Sequence, residues 1–130
     1  MNSNSNVLGG TLNRTILVVD DDRSTRASAL RLLTAHGYTA FEATSESDAV
    51  QKAALLTPDV ILMDLHLHHG SGLDAARHIK DQRTLAHIPI VALTATPPMW
   101  DEKMKLFAAI LTKPCPTPQI LEAIERVLRP

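Results

Sequence analysis

One cysteine, Cys115, stands in the 130 residues, so no internal disulfide can form and a reducing compartment is the expectation. Net charge is nearly lacking too. Thirteen Lys and Arg against fourteen Asp and Glu leave a formal −1 at pH 7, which gives no electrostatic case for direct nucleic acid binding or for an anionic membrane. No apolar run reaches the ~20 residues of a membrane-spanning helix. Met1 to Gly10 lacks both the basic start and the apolar stretch of a signal peptide. No linker-like stretch divides the chain, and no internal repeat is evident. At 45% hydrophobic and 21% charged, it has the apolar content for one core, and a cytoplasmic protein of one globular domain without membrane insertion is expected.

What the chain does have is a series of short apolar runs that stop at polar residues. Met1 to Asn13, polar and low in complexity, reads as a flexible tail, and residues 14–130 as the domain. Ile16-Leu17-Val18-Val19 is a buried strand closing on Asp20-Asp21-Asp22, with Asp22 as the N-cap of a helix from Arg23 to His36 that Gly37 stops. Tyr38 to Ala43 alternates as a strand. Ser45 and Asp48 have the spacing of a capping box for a helix to about Leu56, where Thr57-Pro58 breaks it. Val60-Ile61-Leu62-Met63 is a second buried strand, ending at Asp64, and the loop His66-Leu67-His68-His69-Gly70 follows. Ser71 and Asp74 again have cap spacing for a helix to about Gln82, and Pro89 to Thr94 is a strand that ends in a hydroxyl. Pro97 to about Phe107 reads as one short helix, with Met99, Trp100, Met104, Leu106 and Phe107 as core. Ala109 to Thr112 is a brief strand before Lys113-Pro114, and the last helix starts at Thr117-Pro118 with Ile120, Leu121, Ile124, Val127 and Leu128 inward.

Strands alternating with helices five times argue for an α/β fold, a parallel sheet with helices on both faces and right-handed crossovers. Parallel strands all end at one edge of the sheet, so Asp20, Asp21, Asp64, Thr94 and Lys113 lie along it and can share a site. Carboxylates on adjacent strand ends repel one another unless a cation sits between them. An oxygen-only donor set favours a hard cation, and Mg²⁺ fits best because it accepts carboxylates and waters while keeping positions for a phosphate oxygen. Lys113 can neutralise that phosphate and the Thr94 hydroxyl can hydrogen-bond it. Together these groups describe phosphoryl transfer onto Asp64.

With these motifs the chain resembles the receiver domains of two-component response regulators (CheY-like) over nearly everything from Arg14 to Pro130. The resemblance rests on Ile16-Leu17-Val18-Val19-Asp20-Asp21-Asp22, on Asp64, on Leu93-Thr94-Ala95 and on Leu111-Thr112-Lys113-Pro114. It implies a doubly wound, flavodoxin-like sheet in strand order 2-1-3-4-5. It implies further that Asp64 is the phosphoacceptor, that Asp21 and Asp64 ligate Mg²⁺ with the backbone carbonyl of His66, and that Asp20 acts largely through water. Thr94 would read the phosphate, Lys113 would pair with it, and Lys113-Pro114 would be cis. The implied role is that of a phosphorelay receiver in signal transduction. It takes a phosphoryl group from a phosphohistidine of a sensor histidine kinase or histidine phosphotransfer protein, catalyses its own dephosphorylation, and is not otherwise an enzyme.

The sequence departs from the family pattern at three places. His68 stands four residues after Asp64, where a proline is usual. Thr94 and Lys113 are closer in sequence than usual, so the fourth of the five helices is expected to be short or irregular. Ile110 replaces the Tyr or Phe generally found three residues before the lysine. Two other classes compete with the phosphorylated single-domain receiver: a phosphorylation-independent pseudo-receiver binding module, and a Mg²⁺-dependent phosphohydrolase with an aspartyl nucleophile. Asp64 reads as functional rather than as a helix cap, the loop histidines as solvated rather than as a transition-metal site, and Cys115 as inert.

Overall fold

Continuous apolar runs become strands buried on both faces, and three of them form the middle of the sheet. The computed structural model describes residues 14–96 and 102–129. The strands are β1 (Thr15–Val19), β2 (Thr39–Ala43), β3 (Val60–Asp64), β4 (Ile90–Thr94) and β5 (Ala109–Thr112). They pair in parallel in the order β2-β1-β3-β4-β5, so the expected topology is the observed one. Every residue of β3 and β4 is buried, as runs without polar alternation require. The edge strands β2 and β5 are shorter of apolar side chains and partly exposed.

Successive side chains point to opposite faces, so each central strand feeds two cores. Leu17, Val19, Ile61, Met63, Ile90 and Ala92 face α2 (Glu46–Leu56) and α3 (Gly72–Asp81), which pack close through Ala49, Ala53, Ala75 and Ala76. Ile16, Val18, Leu62, Val91 and Leu93 face α1 (Arg23–Ala35) and α4 (Thr117–Leu128), which contribute Ala29, Leu33, Ile120, Ala123 and Ile124. Helices therefore cover both faces.

Among the described residues, the crossing from β4 to β5 carries no α-helix. It holds a five-residue 3₁₀ helix, Glu102–Leu106, and α4 is the fourth α-helix among the described residues. A 3₁₀ helix rises about 2.0 Å per residue against about 1.5 Å for an α-helix, so it spans more distance with fewer residues. That suits the short interval before Lys113. Phe107 is buried behind it, and Met104 and Leu106 pack on the α2–α3 face, as expected of core residues. Met99, Trp100, the start of the expected helix at Pro97 and the tail 1–13 lie outside the described residues.

The helix starts set the loops that carry the site. Asp22 caps α1, its Oδ2 accepting from the Thr25 N–H at 2.8 Å. Ser45 caps α2 through the Asp48 N–H at 3.1 Å, but the Asp48 carboxylate reaches back one residue further than a capping box, to the Thr44 N–H at 3.2 Å. Ser71 caps α3 through the Asp74 N–H at 3.3 Å, and its own N–H goes not to Asp74 but to Glu46 Oε1 of α2, at 2.9 Å. The Glu46 N–H in turn donates to the His69 carbonyl at 3.2 Å. The far end of the His66–Ser71 loop is thereby tied to α2, and its near end is tied to β3 by the His66 N–H on Asp64 Oδ1.

Two glycines make this approach possible. Gly70 has φ +97°, and a Cβ there would come within 2.4 Å of the Glu46 Cβ. At Gly72 a Cβ would stand 2.1 Å from the Asp64 carbonyl oxygen and 2.7 Å from the Leu65 Cα, so only hydrogen fits between the first turn of α3 and the end of β3. Gly72→Ala is expected to destabilise the fold by about 2 kcal/mol, the usual scale of overpacking against immobile backbone. The test is urea unfolding followed by circular dichroism, which should show a lower midpoint at unchanged slope.

Candidate functional site

The ends of β1, β3 and β5 bring a cluster of charges together. Asp20, Asp21 and Asp64 each offer one carboxylate oxygen within 4.8 Å of the others. Asp20 and Asp64 are buried and Asp21 is half-buried. The Lys113 ammonium reaches in from the end of β5, 3.0 Å from Asp64 Oδ2 and 3.4 Å from Asp20 Oδ2. Its reach is set by the backbone, since the Lys113 N–H donates to the Thr94 carbonyl at 2.7 Å and extends the β4–β5 ladder past its last pair, Thr94 and Thr112. The Lys113-Pro114 bond is cis.

Each carboxylate is also held by backbone. Asp64 Oδ1 accepts from the His66 N–H at 2.9 Å, and Asp20 Oδ1 accepts from the Asp22 N–H at 2.9 Å. Arg26 of α1 donates to the Asp20 carbonyl at 2.9 Å. Asp21 Oδ2 accepts from the His68 N–H, and the His68 Nδ1 lies 2.9 Å from the same oxygen. Thr94 is buried at the end of β4. Its hydroxyl donates to the Thr96 carbonyl at 3.1 Å and sits 3.4 Å from His66 Nε2, without a hydrogen bond to the carboxylates.

The structure thus brings Asp20, Asp21, Asp64 and Lys113 into one cluster, with Thr94 and the His66 loop beside it. The loop histidines are exposed, as expected of solvated side chains, while the His66 ring also lies beside Thr94 and the His68 ring beside Asp21. Two contributors went unread. Glu46 carries no motif, and its partners lie on a different loop. His68 stands where only its chain position, not its contact to Asp21, is legible.

Burial is the main influence on Asp20, and it raises the carboxyl pKa above the ordinary value against the pull of the Asp22 N–H and Lys113; the Asp64 charge adds to the rise. For Lys113 burial alone would lower the pKa, but the Asp64 hydrogen bond and the charges of both aspartates outweigh it, so the ammonium is held protonated. Cys115, just beyond, is half-buried, and burial raises its thiol pKa, in keeping with an unreactive cysteine. Three carboxylates and no nitrogen or sulfur donor among them form a hard, oxygen-only set, which fits Mg²⁺ better than a transition metal.

Comparison with known proteins decides the family. Residues 16–125 match the response regulator receiver domain. The chain belongs to that family. The polar-differentiation response regulator DivK of Brucella ovis is 31% identical over 120 residues, 90% of this chain and 98% of DivK. The chemotaxis protein CheY4 of Vibrio cholerae has the same fold with a TM-score of 0.82 and 27% identity, over 88% of this chain and 98% of that one. The receiver domain of a sensor histidine kinase from Pseudomonas aeruginosa, a structure with magnesium coordinated in the active-site cleft, aligns with a TM-score of 0.81 and 27% identity, over 89% of this chain and 98% of that one. In this receiver domain no helix among the described residues is long and apolar enough to cross a membrane.

The buried charge of Asp20 makes the stability of the fold depend on pH. A carboxyl whose folded pKa lies above its unfolded 3.8 takes up protons more readily when folded, so its ionisation costs stability at neutral pH. Asp20→Asn is therefore expected to melt at a higher temperature than the wild type at pH 7 in EDTA. The gap should shrink as pH falls through the raised value and be gone below 3.8. Paired thermal melts at pH 7 and about 3 check it; a variant no more stable at pH 7 contradicts it.

Proposed function

We propose that this receiver domain is a phosphorelay receiver that accepts a phosphoryl group on Asp64. The observation that carries the reading is the Lys113 ammonium 3.0 Å from Asp64 Oδ2, inside a carboxylate cluster open to solvent through half-buried Asp21. Asp20 and Asp21, with Asp64 itself and the His66 carbonyl, would hold Mg²⁺, which supplies charge neutralisation for the oxygens of the transferred group. Asp64 provides the nucleophilic oxygen. A bond forms between that oxygen and phosphorus as the bond from phosphorus to the donor's imidazole nitrogen breaks, and the nitrogen keeps the electron pair. Lys113, held protonated by its two aspartates, then has a phosphoryl oxygen to pair with in place of the carboxylate oxygen it now holds. Thr94 would turn its hydroxyl from the Thr96 carbonyl to the phosphoryl group.

The donor is a phosphohistidine on a sensor histidine kinase or a histidine phosphotransfer protein, and the product differs in its partner-binding surface. The setting is the cytoplasm, without direct contact to nucleic acid. The domain catalyses its own phosphorylation and dephosphorylation and turns over no other substrate. Ile110 is half-buried on the α2–α3 face, so transmission cannot use the inward swing of an aromatic ring at that position.

Incubation with acetyl phosphate and Mg²⁺ tests the proposal. Intact mass spectrometry should show one phosphoryl group on the wild type, none on Asp64→Asn and none when EDTA replaces Mg²⁺. A wild type without Asp64-dependent phosphoprotein would point to the pseudo-receiver, and rapid multiple turnover of small phosphate esters to a phosphohydrolase.

A further inference from the structure

The three acidic side chains are not held equally. Asp20 and Asp64 are buried, each gripped by a neighbouring backbone N–H and by Lys113. Asp21 is half-buried and 14% exposed at its side chain. Among the described residues its carboxylate has one partner residue, His68, which reaches it across 47 positions of sequence through both the backbone N–H and the ring. A carboxylate oxygen only accepts, so the nitrogen facing it, Nδ1, carries the proton. Both contacts fall on Oδ2, and Oδ1 has no partner among the described residues.

We infer that His68 is a positioning residue for the divalent cation of this pocket, holding the Asp21 carboxylate in a ligating orientation before the ion arrives. The inference rests on the reading of the pocket as a Mg²⁺ site. Groups that hydrogen-bond a ligating side chain fix its orientation and remove rotamer freedom that binding would otherwise have to restrain. His68 can do this because its loop is itself tied down, through the Glu46 contacts to Ser71 and His69. The ring is 86% exposed, so removing it leaves no cavity and the fold should not change.

The test is Mg²⁺ titration by isothermal calorimetry at one pH and ionic strength. His68→Ala keeps the backbone N–H and loses the ring, and is expected to weaken Mg²⁺ binding by about tenfold, the low end for loss of a group that orients a metal ligand. His68→Asn, whose amide nitrogen occupies the place of Nδ1, should recover affinity to within about threefold of wild type. In an Asp21→Asn background, His68→Ala should have no further effect, which a general structural role would not produce. Equal or tighter Mg²⁺ binding by His68→Ala, or the same loss in the Asp21→Asn background, overturns the inference while leaving the Mg²⁺ site in place. A wild type that binds no Mg²⁺ removes the site and the inference together.

Discussion

The contact on which the site rests is the Lys113 ammonium between two buried carboxylates. Asp20 and Asp64, each only a few per cent exposed, would repel across the β1–β3 junction without it. The position of Lys113 follows from strand pairing, since its N–H continues the β4–β5 ladder and carries the side chain over the mouth of β3. The sheet order then has a chemical consequence. With β1 next to β3 and β5 two strands away from β3, the acids sit side by side, and a long, flexible lysine can reach both.

Much of this is legible in the sequence because parallel strands turn order along the chain into order along an edge. Four apolar residues before Asp64 and four before Asp20 are enough to bury both strands, and alternation of strands with helices is enough to send both acids to the same end. Asp22 reads as a cap because capping is a contact over three residues. Contacts that skip across loops leave no such trace. Glu46 and Ser71 are 25 positions apart and Asp21 and His68 are 47 apart, and nothing in residue type or periodicity couples them. The 3₁₀ helix before β5 was foreshadowed only as a shortage of residues, because length limits the choice of helix without naming it.

The loop after Asp64 has support from three directions, and this is why its composition matters. Gly72 lets α3 start against the Asp64 carbonyl, Gly70 lets the chain pass Glu46, and Glu46 takes the Ser71 N–H that a capping box would have returned to Asp74. A proline at the place of His68 would have no N–H to give Asp21. The departure from the family pattern at this position therefore substitutes hydrogen bonding to an acid for stiffness of the chain.

Charge counting explains why such a pocket calls for a divalent cation. Three carboxylates against one ammonium leave two negative charges at the sheet end, where a phosphoryl group bringing further negative charge would be repelled. A monovalent ion leaves the pocket negative; a divalent one brings it to neutrality. Burial sharpens the requirement, since the raised pKa of Asp20 records that its ionised form is poorly solvated as it stands. A cation bound there would relieve this cost only in the folded state, so an ion that prepares the site for the proposed transfer would also stabilise the fold that builds it.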